Sequence, residues 1–141
     1  MAEMIFRKAV AGRDDYAVES AGVAASKGAV CSRETREIVE GLGAWVEGFR
    51  SQRVSEKVLA DATHVFAMTR GHLEVLEEDF PQFSDKYFLV CEFVEVAGRG
   101  YGADVPDPIG MGKRAYEDVA RVLERAIPAM IEYMDQTVGR G

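Results

Sequence analysis

The sequence predicts an α/β protein, an open parallel sheet flanked by helices. Two short apolar runs, His64–Met68 and Tyr87–Val90, alternate with stretches whose apolar residues recur every three or four positions. His64-Val-Phe-Ala-Met68 is almost continuously apolar, the pattern of a strand buried on both faces. The closing stretch carries the stripe Tyr116, Val119, Leu123, Ala126 or Ile127, Met130 and Met134, one face of a long helix.

In chain order, Met1 to about Gly12 reads as a helix with the stripe Met1, Ile5, Ala9 and Val10. Tyr16-Ala-Val-Glu-Ser20 is short, partly β-branched and stopped by Gly22, which predicts a strand. A small-residue loop follows from Val23 to Val30. Ser32 is placed to cap a helix facing inward through Thr35, Ile38, Val39 and Leu42, with Gly43 as its stop. Ser55 caps a shorter helix carrying Val58, Leu59 and Ala62. Residues 70–79 form another, with Leu73, Leu76 and then Phe80 inward until Pro81 ends it. After Tyr87–Val90, the last clear strand, a Gly-rich loop spans residues 92–111. Pro128 should kink the closing helix or mark a restart, since an interior proline costs roughly 3 kcal/mol. No repeat, linker or low-complexity segment interrupts the chain, and 141 residues fit one domain, 1–141.

Composition excludes some partners. Apolar residues make up 48% and charged residues 29%, the usual balance of a globular protein. The net charge of −7 argues against nucleic acid and anionic membranes, both of which select basic surface. No run approaches a transmembrane length and no signal-peptide pattern opens the sequence, so the expected location is cytoplasmic. The two cysteines, Cys31 and Cys91, form no CxxC and suggest neither a disulfide framework nor zinc. His64 opens a strand and His72 lies in a helix, with no carboxylate or cysteine at ligand spacing, so no metal or other cofactor is expected.

Three short runs carry the chemistry: Ser20-Ala-Gly22, Met68-Thr-Arg-Gly-His72 and Asp104-Val-Pro-Asp-Pro-Ile-Gly110. In the last, Asp107 stands between two prolines that fix the backbone on each side, in the loop after the final strand. Open α/β sheets bind ligands at such loops, and a general acid needs a fixed position. A turn aspartate is the plainer account of the same residues. Asp104, three residues earlier, reads as a solvated loop carboxylate, and Ser20 as a serine satisfying nearby backbone.

In order and spacing these runs resemble the low-molecular-weight protein tyrosine phosphatases, bacterial type, near the protein arginine phosphatases. The resemblance covers essentially all 141 residues and is most specific in Asp104–Gly110 and Thr69–Leu76. It implies a Rossmann-like three-layer fold and hydrolysis of phosphotyrosine or phosphoarginine through a cysteinyl phosphate, with a phosphorylated protein as substrate. Asp107 would protonate the leaving group, Ser20 would support the phosphate loop, and Lys27, beside Ser26, and Ile109 would line the substrate cleft. In Gly48-Phe-Arg-Ser51, Phe49 stands where the family typically has a supporting histidine. Arsenate reductases of the same fold are a related alternative.

The family's phosphate loop reads C-x5-R-S/T-P and is commonly followed by Met-Ala-Glu, and this sequence opens with Met1-Ala2-Glu3. Six positions beyond Cys31 and Cys91 stand Glu37 and Ala97, so neither cysteine begins such a loop. The expectation is therefore a chain lacking the first strand and the loop, inactive as it stands. A non-catalytic binding protein that kept the fold is the alternative. Strand edges left open by the missing strand would favour self-association.

Overall fold

The computed structural model describes residues 1–22, 33–44, 52–105, 107–108 and 111–138. Expectations for residues 23–30, Lys27, Cys31, Ser32, Phe49 and Ile109 lie outside them. The chain forms two compact units, Met1–Arg53 with Pro108–Ile127, and Val54–Asp107 with Pro128–Gly141.

In the first unit, α1 (Ala2–Ala9) buries Met4, Ile5, Phe6 and also Glu3. Glu3 near its start and Arg7 and Lys8 in its last turn complement the helix dipole. Helix α2 (Arg33–Gly41) turns Thr35 and Val39 inward, as its spacing predicts. Met4, Val39 and Ala44 form a core cluster with Met1 packed against it. Gly43 ends this stretch at φ +78, a conformation that a side chain would strain.

Tyr16–Ser20 is not a strand. Its sequence has strand character, but a strand needs a partner backbone in register, and among the described residues the segment has no ladder. The nearest pairing is one parallel bridge between Gly22 and Arg53. Tyr16 is held through its ring instead, 6.0 Å from Phe6 and under the Arg13 guanidinium at 4.7 Å.

In the second unit, Ser55 caps α3 (Glu56–Asp61) by accepting the Val58 N–H. Strand β1 (Val65–Ala67) leads into α4 (Arg70–Asp79), then a 3₁₀ turn opened by Pro81, then β2 (Tyr87–Leu89). β1 and β2 pair in parallel, with Val65 opposite Tyr87 and Ala67 opposite Leu89. Leu59, Ala67, Leu76 and Tyr87 make the core beneath them. β1 is less enclosed than its apolar run predicts, since only Ala67 of its three residues is buried. Its only ladder partner among the described residues is β2.

The Gly-rich loop contains structure its composition conceals, a small hairpin of β3 (Glu95–Val96) and β4 (Gly100–Tyr101). Helix α5 (Lys113–Val138) runs through Pro128 without a restart. Pro128 and Glu124, whose carbonyl would otherwise receive the missing N–H, are both exposed, so the lost bond falls on the solvent-facing side of the helix. No helix among the described residues is long and apolar enough to cross a membrane.

Candidate active site

The segment carrying Asp107 lies at the C-terminal end of the β1–β2 pair. β1 ends at Ala67, and the next carbonyls are already committed to other chain segments. The Ala67 oxygen accepts from Val90 N–H at 2.9 Å and the Met68 oxygen from Val105 N–H at 2.8 Å. Thr69 then caps α4, its hydroxyl accepting the His72 N–H at 3.1 Å. Beyond β2, the buried Cys91 offers its carbonyl to Gly102 N–H at 2.8 Å, which returns the chain from the hairpin towards β1. Gly102 sits at φ +76, and a Cβ there would come within 3.1 Å of an Arg70 guanidinium nitrogen. Ala103 and Val105 are buried, whereas Asp104 and Asp107 face solvent.

Asp104 is not the merely solvated loop carboxylate its sequence suggests. One carboxylate oxygen accepts the Arg70 N–H at 2.9 Å, so Asp104 caps α4 from 34 residues away. The Arg99 guanidinium donates to the Asp104 carbonyl at 3.2 Å. No local pattern announces this cap, because helix caps are read from the residues just before a helix and Thr69 already fills that place.

Ser20 falls in the first unit. Its hydroxyl donates to Glu3 at 2.6 Å, and its carbonyl accepts from the Gln52 side chain at 3.0 Å. Gln52 also takes the Gly22 N–H on its own carbonyl at 2.9 Å. Glu3, nearly covered, is paired with Arg7 at 2.7 Å. No motif in the sequence marks Glu3 or Gln52 as a partner of Ser20. The available signal was an acid four residues before an arginine on a helix that otherwise buries that face.

His64 is half-buried among aromatic rings, 5.8 Å from Phe88, 6.4 Å from Phe66 and 6.1 Å from Tyr133. The Thr63 and Thr137 hydroxyls lie 3.0 Å and 3.4 Å from its two ring nitrogens. Burial lowers its pKa from the ordinary histidine value. Among the described residues no cluster of three or more His, Cys, Asp or Glu is placed to hold a metal.

The geometry alone names no family, and comparison with known proteins supplies one. The family model for low molecular weight phosphotyrosine protein phosphatase matches residues 1–140. The chain belongs to this family. It is 34% identical over 116 residues to a protein-arginine-phosphatase of Geobacillus stearothermophilus, covering 82% of this chain and 74% of that protein. The solved YwlE arginine phosphatase from Geobacillus stearothermophilus superposes with a TM-score of 0.85 at 29% identity, covering 96% of this chain and 84% of that one. A low molecular weight protein tyrosine phosphatase from T. tengcongensis gives 0.82 at 34% identity, covering 94% and 88%. These likenesses bear out the α/β family fold.

Proposed function

We propose that the chain supplies the acid side of a cysteine-dependent phosphatase acting on phosphorylated protein, with phosphoarginine as the favoured substrate class. The observation that carries this reading is Asp107, exposed and proline-flanked, two residues past a backbone bond to the end of β1. The 34% identical relative named a protein-arginine-phosphatase supports the substrate class. Ile109 is compatible with it, because bacterial relatives, protein arginine phosphatases among them, often carry Phe or Ile where eukaryotic relatives carry aromatics.

In the family's reaction a cysteine thiolate attacks phosphorus in line, and the bond from phosphorus to the leaving oxygen or nitrogen breaks. Asp107 is assigned the proton given to that leaving atom. Water then attacks the cysteinyl phosphate while the Asp107 carboxylate takes its proton, releasing inorganic phosphate and the thiolate. Ser20 is assigned to supporting the phosphate loop, and Lys27 and Ile109 to the cleft wall. Neither cysteine of residues 1–141 opens a C-x5-R loop, so these residues hold no nucleophile–arginine pair of that kind.

Residues 1–141 alone are therefore expected not to hydrolyse p-nitrophenyl phosphate or phosphoarginine. Vanadate-sensitive turnover that disappears in Cys31→Ser or Cys91→Ser would overturn this. The absent C-x5-R pattern also favours a second reading, a phosphatase-like binding protein. Adding an N-terminal strand and a C-x5-R-Ser-Pro loop separates the two. Restored turnover supports the enzyme, whereas an inert chain that still binds phosphorylated peptide supports the binding protein. On either reading we place the protein in the cytoplasm and expect the edge of β1 that has no ladder partner among the described residues to favour self-association, which sedimentation over a concentration series measures.

A further inference from the structure

We propose that Asp104 is a positioning residue for the segment that carries Asp107, an inference that rests on Asp107 being the proton donor. Helix α4 has two N-terminal caps of different origin. Thr69 takes the His72 N–H from three residues away, the local arrangement that suffices to start a helix. Asp104 takes the Arg70 N–H from 34 residues away. A local cap fixes only its own helix, but a distant one also fixes the chain from which it comes. Asp104 is exposed, so it supports no core, and what it holds is the outgoing backbone.

The surrounding bonds act on the same two residues. Asp104 is held by its carboxylate on Arg70 N–H and by its carbonyl under the Arg99 guanidinium at 3.2 Å. Val105 is held by its N–H on the Met68 carbonyl and by burial of its side chain. From there one residue, Pro106, whose ring fixes φ, leads to Asp107. The carboxylate also sits at the positive end of the α4 dipole, which strengthens its hold. An exposed acid must meet a leaving atom at hydrogen-bond distance, and this anchor sets its starting point before substrate arrives.

The test needs no turnover and uses residues 1–141. In Asp104→Ala, amide hydrogen exchange at Val105 should accelerate about tenfold to a hundredfold. The backbone order parameter at Asp107 should fall from a rigid value near 0.85 to below about 0.6. Asp104→Asn, which keeps an acceptor oxygen, should restore most of both. Thr69→Ala removes the other α4 cap and should leave Asp107 as ordered as before. Arg99→Ala should move Val105 exchange in the same direction by severalfold, and carries the test if Asp104→Ala does not fold. If Thr69→Ala mobilises Asp107 as much as Asp104→Ala does, or neither changes it, the positioning role is overturned. That result would leave the proton-donor assignment standing, since leaving-group dependence tests it separately.

Discussion

Ser20 and Asp104 both lie in irregular segments between regular elements, yet they are held in opposite ways. Asp104–Val105 is fixed at the ends of regular elements, by a main-chain bond to Met68 and a cap on α4. Ser20 is fixed by side chains, with its hydroxyl on the buried Glu3 and its carbonyl under the Gln52 amide. The first arrangement leaves its charge in water, where losing one partner costs little. The second commits a carboxylate to the interior, where every partner must be present. Two irregular segments of one chain can therefore differ in their tolerance of substitution.

Four changes would sharpen or break this contrast. The largest effect belongs to Asp107→Asn in a chain extended by the strand and C-x5-R-Ser-Pro loop. Turnover of phenyl phosphate should fall by about 10²–10⁴. The loss should be much smaller for p-nitrophenyl phosphate, whose leaving group needs no proton. Equal losses would make Asp107 a turn residue and remove the acid from the comparison. Next, Glu3→Ala should destabilise residues 1–141 by about 2–3 kcal/mol in urea denaturation, since it strips partners from both Ser20 and Arg7. Asp104→Ala should cost only about 1 kcal/mol, the usual loss for an exposed cap. If the order of these two reverses, the contrast between buried and solvated anchoring is wrong.

The smallest effect is on pH dependence. Burial holds the folded-state pKa of His64 below its unfolded value near 6.5. As pH falls through 6.5 the unfolded chain therefore takes up the proton first. Stability declines from that point until pH passes below the folded value, and is unaffected by His64 above both. His64→Gln should flatten this decline in denaturation midpoints measured between pH 7.5 and 5. An unchanged slope would assign it to other groups.

What the sequence disclosed depended on how far apart the cooperating residues lie. Helix α4 was legible to the residue, because its apolar spacing at Leu73, Leu76 and Phe80 and the Pro81 stop lie close together in the sequence. The parallel pairing of β1 with β2 followed from their alternation with helices. Tyr16–Ser20 misled, because strand character resides in side chains while a strand requires a partner elsewhere. The β3–β4 hairpin stayed hidden because each of its strands is two residues long, too short for a period of two to register. At the candidate site, Asp107 was visible through its flanking prolines. The hold that Arg70, Arg99 and Met68 exert on its segment was not, since those contacts link residues without a fixed spacing. Pro128 was visible, and of the kink or restart it suggests the restart does not occur, because the carbonyl that loses its N–H partner belongs to the exposed Glu124.

The sealed thiol of Cys91 makes the chain its own gauge of local opening. Its side chain is 0% exposed, and its carbonyl receives the Gly102 N–H that brings the hairpin back towards β1. A thiol reagent reaches Cys91 only when that part of the chain opens. In a Cys31→Ser background, at reagent concentrations where reclosing outruns labelling, the observed rate divided by that of the unfolded chain equals the open fraction. A handful of labelling curves would thus give the population in which the strand end next to the hairpin stands open.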